Sequence, residues 1–345
     1  MTDVAIVGAA GYAGVELTRL ALGHPGLRIA AVTSTADAGR RVEDVYPALA
    51  GCGLSYVEPD VAAIAEVADV AFLAVPHTAA MALAPAFLAA GLLVVDCSAD
   101  FRLDDAATYE SWYGAAHTCP ELLEEAVYGL PELGRERLRG ARLVACPGCY
   151  PTAALLAAVP ALRSGLAEGD KVIVDAKSGV SGAGRTPGET THFPAANESL
   201  SAYKVASHRH TPEISQELGK AAGRSMRLAF APHLVPMTRG LLATVYLDAA
   251  PGLTTADAVS AYAAAYAGEP FVTVHPAGRM PATGEVRGSN RAHIGIAVDE
   301  ASATLVVACA IDNLVKGTAG QALQCANLVL GLPETAGLAY PSPVV

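Results

Sequence analysis

VAIVGAAGYAG, residues 4–14, combines an apolar run with glycines at the spacing G-x-x-G-x-x-G. The run is typical of a buried parallel strand, and residues 15–22 have the pattern of an amphipathic helix. A strand, a glycine turn and a helix in this order predict a dinucleotide-binding domain, because glycine lets the backbone approach a pyrophosphate at the helix N-terminus. Gly8, Gly11 and Gly14, with Tyr12 between them, are the candidate cofactor residues. Since the spacing is not G-x-G-x-x-G, a plain structural turn remains the alternative.

The next apolar run, residues 29–32, is followed by Ser34, Arg40 and Arg41. In a dinucleotide-binding domain this position meets the adenosine ribose, where an acidic residue would repel a 2′-phosphate. We assign no acidic residue to the ribose here. A hydroxyl and two guanidinium groups instead predict recognition of the 2′-phosphate of NADP. A solvated basic turn is the alternative that these residues leave open.

Strands alternate with helices to about residue 100, with further buried strands predicted in residues 69–77 and 92–96. This alternation predicts an α/β domain with a doubly wound parallel sheet. The longest apolar stretch, residues 79–95, contains Pro85 and Gly91, which we expect to divide it into a helix and a strand rather than a membrane span. No membrane-spanning segment is predicted.

The whole-chain composition narrows the class of protein. A chain of 345 residues predicts two domains, and a net charge of −11 argues against general nucleic-acid binding. The chain begins in a strand without a basic, apolar leader, and its seven cysteines have no framework spacing. Both features predict a cytoplasmic protein.

A cysteine in the stretch PGCYPT, residues 147–152, stands where a helix is predicted to begin. The positive end of a helix dipole stabilises a thiolate, so Cys149 is a candidate nucleophile, although an inert buried cysteine is the commoner case. Cys146 and Cys149 also form a C-x-x-C pair. Because no second such pair and no H-x-x-x-H pair is present, a zinc site lacks ligands, and we predict no metal site.

Three other segments carry polar groups suited to binding or proton transfer. Residues 96–102 follow a strand and include Ser98 and Arg102, a candidate phosphate anchor or a surface ion pair. Residues 171–185 form a strand and a glycine-serine loop with candidate cofactor contacts at Ser178, Gly179, Ser181 and Gly182. Residues 207–214 include His208, Arg209, His210 and Glu213 at a predicted helix start, where the histidines are candidates for proton transfer and Arg209 and Glu213 for substrate binding.

Together these segments resemble the N-acetyl-gamma-glutamyl-phosphate reductase family of the aspartate-semialdehyde dehydrogenase superfamily, over essentially the full chain. The shared motifs are GAAGYAG at residues 8–14, SADFR at 98–102, PGCYPT at 147–152, SGVSGAGR at 178–185, HRHTPEI at 208–214 and DNLVKGTAGQ at 312–321. The resemblance implies that Cys149 is the nucleophile, that one histidine of the pair is the base, and that Asn313 lies against the cofactor. Between the histidines we favour His208.

The reaction implied is the NADPH-dependent reduction of N-acetyl-gamma-glutamyl phosphate, through a cysteine thioester, to a semialdehyde and phosphate in arginine biosynthesis. Aspartate-semialdehyde dehydrogenase is the alternative within the superfamily, and a catalytically silent NADP-sensing regulator is the alternative from another class.

We expect a Rossmann domain over residues 1–147, rejoined by a C-terminal helix over residues 315–345. An α+β catalytic and oligomerisation domain of the semialdehyde dehydrogenase type is expected over residues 148–314. Strands of this second domain are predicted at residues 171–176, 227–231, 242–247 and 303–309. A homodimer or homotetramer is expected.

Overall fold

The computed structural model describes residues 1–343, which form two compact units. The first unit contains Met1–Gly148 and Thr318–Tyr340, and the second contains Cys149–Gly317 and the described residues beyond Tyr340. Within the described residues, no helix has the length and apolar character needed to cross a bilayer.

A parallel sheet forms the centre of the first unit. Its strands are β1 (Thr2–Val7), β2 (Leu27–Thr33), β3 (Tyr56–Val57), β4 (Val70–Leu73), β5 (Leu93–Asp96), β6 (Val127–Tyr128) and β7 (Leu143–Ala145). The order β3-β2-β1-β4-β5-β7-β6 places β1 and β4 side by side, with crossovers to both edges. The prediction of a doubly wound parallel sheet is confirmed.

Helices and turns connect these strands. They are α1 (Tyr12–Leu22), α2 (Val42–Val45), α3 (Val61–Ala65), α4 (Ala80–Ala89), α5 (Ala106–Tyr113) and α6 (Pro131–Gly134), with 3₁₀ turns at Pro47–Leu49, Pro120–Leu123 and Arg135–Leu138. The side chains of β1 from Val4 to Val7 are almost completely buried, as expected for a strand covered on both faces.

The helix and the strand expected within residues 79–95 both form, as α4 and β5, and Pro85 lies inside the helix. Proline has no N–H to donate to the carbonyl of Met81, one turn earlier. The Cys119 thiol donates to that carbonyl at 3.2 Å. The missing helix bond is therefore replaced from a neighbouring segment, and residues 90–92, which include Gly91, connect the helix to β5.

The second unit contains a mixed sheet in the order β12-β13-β14-β11-β8-β10-β9. Its strands are β8 (Ala167–Gly179), β9 (Ser201–Ala202), β10 (Arg227–Val235), β11 (Leu241–Ala249), β12 (Val272–Val274), β13 (Ala292–Asp299) and β14 (Thr304–Ile311). The helices are α7 (Cys149–Arg163), α8 (Phe193–Ala196), α9 (His210–Ala222) and α10 (Thr255–Ala265), with 3₁₀ turns at Val180–Ala183 and Thr283–Glu285. The four strands predicted for this unit all form, each longer than or close to its predicted bounds.

α7 is the central helix of the second unit and packs on α9, α10, β11 and β14. Every residue from Tyr150 to Ala161 is buried, so the helix is apolar on all faces and cannot turn one of them to water. Pro160 lies inside it and leaves the Leu156 carbonyl without its helical donor. The Tyr266 hydroxyl donates to that carbonyl at 2.6 Å.

The end of the chain differs from the single helix expected over residues 315–345. A π-helical turn, Val315–Ala319, leads into α11 (Gly320–Val329), and the residues from Gly331 to Tyr340 form turns. α11 packs on α1 and β5 of the first unit. Residues 344–345 of the expected helix lie outside the described residues.

Candidate active site

Cys149 is the first residue of α7, as the sequence predicted. Its side chain is half-buried, whereas Tyr150 and the eleven residues after it are buried. The thiol therefore stands at the partly open end of a helix whose remaining length is fixed in the core. This position exposes the sulfur to the first-turn N–H groups and to the positive end of the helix dipole.

Tyr150 connects the cysteine to the histidine pair. Its ring packs edge-on against His208 at 5.5 Å and against His210 at 6.0 Å between ring centroids. The two imidazoles lie 4.8 Å apart. The structure thus brings Cys149, His208 and His210 into one part of the second unit.

A chain of hydrogen bonds fixes the orientation of His208. Nδ1 accepts from the backbone N–H of His210 at 3.1 Å, so the ring proton lies on Nε2, which faces the Tyr203 hydroxyl at 3.3 Å. Tyr203 donates to the Tyr150 hydroxyl at 3.2 Å, and Tyr150 donates to the His233 carbonyl at 3.1 Å. Every donor in this chain points toward the carbonyl, which requires a neutral His208.

Burial lowers the pKa of His208 to about 4, with a further contribution from Lys204 and Arg209. The pKa of Tyr203 is raised to about 12, first by burial and also by the nearby Cys149 sulfur. His208 therefore acts as a fixed neutral donor and as a cap for the first N–H of α9. The part that Tyr203 plays in this arrangement was not predicted from the sequence.

Gly317 lies directly against Cys149. A Cβ atom at Gly317 would be 2.7 Å from the Cys149 Cβ, closer than real Cβ contacts. Gly317 belongs to the π-helical turn, and its N–H donates to the Asp312 carbonyl at 2.9 Å. π-helical turns occur frequently at functional sites. The sequence motif at residues 312–321 contains this glycine, but sequence alone assigned it no role.

The glycine-serine loop is held by internal bonds. The N–H groups of Gly179, Val180 and Ser181 donate to carbonyls of residues 237–240. These three N–H groups hold the loop in place, and the expected contacts of Ser178, Gly179, Ser181 and Gly182 with a cofactor stay predictions. Ser178 is buried, and a Cβ at Gly182 would meet its hydroxyl at 2.9 Å.

Asn313 is a bridge between two loops rather than an exposed contact. Its Nδ2 donates to the Ser181 hydroxyl and its Oδ1 accepts from the Gly240 N–H, both at 2.9 Å. The adjacent Asp312 is fully buried and accepts from the N–H groups of Gly288, Leu314 and Val315. The expected contact of Asn313 with a cofactor stays a prediction.

The glycine turn of the first unit has the close packing that a pyrophosphate site requires. A Cβ at Gly8 would be 2.5 Å from the Ala74 carbonyl oxygen, and one at Gly14 would be 2.4 Å from the Gly8 carbonyl oxygen. Gly11 precedes α1 without a side-chain cap, and Tyr12 begins the helix. This cradle fits a dinucleotide phosphate, because the glycines leave the space and α1 supplies the N–H donors.

The segment after β2 contains an acidic residue that our sequence analysis overlooked. Asp37 is buried, donates its backbone N–H to the Ser34 hydroxyl at 3.1 Å, and accepts from Arg40 at 2.6 Å. Arg41 pairs with Glu43. A carboxylate thus lies in this segment, paired with Arg40, and the expectation that no acidic residue contacts the ribose stays a prediction.

Ser98 and Arg102 belong to a buried polar network of the first unit. Arg102 donates to the carbonyls of Cys146 and Cys97 at 2.7 and 2.9 Å, which ties the ends of β7 and β5 together. Ser98 donates to Asp96, and its hydroxyl accepts from the N–H of Asp100. Both residues thus stabilise the loop after β5, and their expected contact with substrate stays a prediction.

Two of the expected substrate residues lie at the start of α9. Arg209 is its half-buried cap residue, and Glu213, in the first turn, is almost fully buried. Residues three apart on a helix share a face, so Glu213 lies on the same face as His210.

Two family models match the two units. The semialdehyde dehydrogenase NAD binding domain matches residues 3–141, and the semialdehyde dehydrogenase dimerisation domain matches residues 149–313. Aspartate semialdehyde dehydrogenase II from Vibrio cholerae has the same fold, with a TM-score of 0.73 and 16% identity over 96% of this chain and 99% of that one. The aspartate semialdehyde dehydrogenase with NADP from Candida albicans has a TM-score of 0.66 and 14% identity over 96% and 99%. Fold and site thus define an oxidoreductase of the semialdehyde dehydrogenase type.

Curated relatives narrow this class. The N-acetyl-gamma-glutamyl-phosphate reductases of Symbiobacterium thermophilum and Azotobacter vinelandii are 52% and 51% identical, each over 99% of this chain and 98% of the relative. The reductase of Geobacter sp. is 49% identical over 98% of both chains. The chain belongs to the N-acetyl-gamma-glutamyl-phosphate reductase family, as the sequence motifs predicted.

Proposed function

We propose that the protein reduces N-acetyl-gamma-glutamyl phosphate to N-acetylglutamate semialdehyde and inorganic phosphate, with NADPH, as a step of arginine biosynthesis. The observation that carries the proposal is Cys149 at the open start of a buried helix, with Tyr150 packed on two histidines. The names of relatives at about 50% identity support the substrate.

Cys149 divides a difficult reduction into two displacements. Its sulfur forms a bond to the acyl carbon while the bond from that carbon to the phosphate oxygen breaks, so that phosphate leaves and a thioester remains. NADPH, which the glycine turn at residues 8–14 would hold, would supply the hydride that reduces the thioester carbon. The resulting oxyanion collapses, the carbon–sulfur bond breaks, and the aldehyde leaves as the Cys149 thiolate is regenerated.

His210 is the better candidate for the base, although the sequence favoured His208. Both ring nitrogens of His208 face partners in the tyrosine chain, and its pKa of about 4 makes it a poor proton acceptor at neutral pH. His210 is the first residue of α9, is half-buried, and packs against the Tyr150 ring with centroids 6.0 Å apart. It would take the thiol proton and return one to the sulfur.

The decisive experiment is NADP⁺ reduction with inorganic phosphate and either N-acetylglutamate semialdehyde or aspartate semialdehyde. Turnover of the acetylated aldehyde alone supports the proposal, and turnover of aspartate semialdehyde alone contradicts it.

Incubation of the enzyme with the acyl phosphate in the absence of NADPH should add one acyl group to Cys149, detected by mass spectrometry. The Cys149→Ser variant, as control, should form no thioester and should retain NADPH binding. No turnover and no selective alkylation of Cys149 by iodoacetamide would indicate a silent nucleotide-binding regulator.

We propose NADP as the cofactor, recognised through Ser34, Arg40 and Arg41. Both arginine side chains are more than half exposed, and each has an acidic neighbour that a 2′-phosphate must displace. Arg40→Ala should raise the KM for NADPH about tenfold or more, since a charged hydrogen bond is worth roughly 1.5–3 kcal/mol, and should leave the KM for NADH nearly unchanged. Arg28→Ala removes the same charge from an exposed pair with Asp3 and serves as control. An equal rise in the KM values for NADPH and NADH would contradict recognition of the 2′-phosphate by Arg40.

We further propose that the protein is a cytoplasmic homodimer or homotetramer. The match to a dimerisation domain supports the assembly, and the seven cysteines, none of which forms a disulfide in the described residues, are consistent with a reducing compartment. Sedimentation equilibrium would give the number of subunits, and a monomer would contradict the assembly.

A further inference from the structure

Two histidines and a glutamate meet at one edge of the second unit, in residues to which the proposed reaction gives no part. His275 follows β12, His293 lies in β13, and Glu285 ends the 3₁₀ turn between them. The His275 Nε2 and the His293 Nδ1 lie 3.3 and 3.1 Å from the same oxygen, Oε2, of Glu285. We name these three residues the His-Glu-His cluster.

The backbone holds the cluster in place. β12 and β13 are parallel neighbours, and the His275 N–H donates to the Ile294 carbonyl at 2.7 Å. The two imidazole rings pack edge to face, with centroids 5.0 Å apart. His275 is buried, whereas Glu285 and His293 are partly accessible, so the cluster has an anchored side and an open side.

The three facing atoms have the identity and spacing of metal ligands. All lie within 4.8 Å of one another. Ligands of a tetrahedral zinc ion, about 2.0–2.1 Å from the metal, lie roughly 3.4 Å apart, so the two distances to Glu285 already match. Two imidazole nitrogens with one carboxylate oxygen form a common three-residue zinc set, in which the fourth position is left to water.

Arg279 is a charged neighbour of the His-Glu-His cluster, and its contact with Glu285 raises the alternative that the cluster is held by ion pairs alone. Its Nη2 donates to the other carboxylate oxygen, Oε1, at 3.2 Å, and its side chain is 57% exposed. Oε2 therefore remains directed at the two imidazoles. A hydrogen bond to the second oxygen of a ligating carboxylate is the usual outer-shell arrangement of metal sites.

We propose that His275, Glu285 and His293 bind one divalent transition-metal ion, with zinc the best fit. The ring protons would move to His275 Nδ1 and His293 Nε2, so that a lone pair of each ring faces the metal. No metal site was predicted from the sequence, because the chain has no second C-x-x-C pair and no H-x-x-x-H pair. Here nine residues separate His275 from Glu285 and seven separate Glu285 from His293, and the strand pairing brings them together.

The test is binding of zinc to the full-length, chelator-treated Cys149→Ser protein, measured by isothermal titration calorimetry. The serine background removes the reactive thiol as a rival ligand. We expect one equivalent to bind and the Tm to rise. His293→Gln and Glu285→Gln should each weaken binding at least 100-fold, whereas His192→Gln, which removes an exposed histidine of the same unit, should not weaken it.

Cobalt distinguishes this site from the cysteines. Co²⁺ should give the visible bands of a four- or five-coordinate nitrogen and oxygen site without a thiolate charge-transfer band, and His293→Gln should abolish them. Absence of stoichiometric binding, a thiolate band, or equal affinity in the folded His293→Gln and Glu285→Gln proteins would overturn the proposal. In the protein with native Cys149, His293→Gln should leave aldehyde oxidation unchanged.

Discussion

Gly317 is the residue whose side-chain size most directly controls the nucleophile. An added methyl group at 2.7 Å from the Cys149 Cβ must move the cysteine or the π-helical turn. We expect Gly317→Ala to lower kcat about 100-fold, because small misplacement of a nucleophile has effects of this size, while cofactor binding is retained. Steady-state kinetics and NADPH titration measure the two effects.

Gly284→Ala is the matched control, because nothing lies within 4 Å of the added atom and no positive φ is present there. It should retain full kcat. If Gly317→Ala were equally active, the close contact would have no influence on the sulfur.

His208 should remain neutral throughout the physiological range. With a pKa of about 4, its ring signal in NMR should titrate near pH 4 rather than near the ordinary value of 6.5. The unfolded chain takes up this proton at higher pH, so His208 reduces stability as pH falls from about 6.5 to 4. A ring that titrates near pH 6.5 would contradict the neutral hydrogen-bond chain.

Kinetics can test which of the two histidines, His208 or His210, is the base. His210→Asn should lower kcat by a factor of about 10²–10⁴, the usual contribution of a general base. His208→Asn should lower kcat by a smaller factor. A larger loss in His208→Asn would restore the original assignment from the sequence.

At the residue scale, sequence predicted what depends on local chemistry. Cys149 at a helix start and the glycine turn before α1 were predicted, because neighbouring residues in the sequence determine helix termini and tight turns. Tyr203 and Gly317 were not, because their importance comes from contacts with distant residues. Asp37 was visible in the sequence, but its pairing with Arg40 was not.

Two prolines inside helices show how elements compensate for a missing donor. In α7, Pro160 removes the N–H that would bond the Leu156 carbonyl, and Tyr266 replaces it. Tyr266→Phe should therefore lower the free energy of unfolding by about 1–3 kcal/mol, since a buried carbonyl loses its partner. Chemical denaturation measures the change.

A double-mutant cycle tests whether the stability effect of Tyr266→Phe comes from the carbonyl that Pro160 leaves without a helical donor. In Pro160→Ala the backbone N–H of residue 160 can again donate to the Leu156 carbonyl. Tyr266→Phe should therefore lower the free energy of unfolding clearly less in that background than in the native sequence. An equal cost in both backgrounds would show that the Tyr266 hydroxyl stabilises the fold in another way.

At the element scale, long apolar strands were the predictable part. β1, β8, β11 and β14 follow from continuous apolar runs, because burial on both faces or one face imposes a clear pattern. The two-residue strands β3, β6 and β9 carry no such pattern and arise only from pairing with a neighbour. The helix that contains Pro85 was expected, but its compensating donor, Cys119, was not, because that residue is far along the chain.

For the molecule as a whole, Asp96 should create a pH-dependent stability. Burial, and then the charge of Asp100, raise its pKa to about 7 from an ordinary 3.8. Between these values the folded protein holds one more proton than the unfolded chain, so stability falls as pH rises, by at most about 1.4 kcal/mol per pH unit, and the loss is complete above pH 7. Asp96→Asn should lack this dependence.

The measurement is the difference in unfolding free energy between the native sequence and Asp96→Asn from pH 5 to pH 8. Asp299→Asn is the control, because that exposed carboxylate has a lowered pKa and should affect the profile only in acid. A flat difference for Asp96→Asn would show that the carboxylate is charged when buried.

The path of the chain between the units has a consequence for its synthesis. The first unit requires residues 318–340, which include α11, a helix with eight buried residues out of ten. A ribosome that has released residues 1–148 has therefore not yet produced the helix that covers α1 and β5. The first unit is completed only after residues 318–340 have been synthesised, so its nascent N-terminal part should need chaperone protection, and messages truncated before residue 318 should yield an aggregating product.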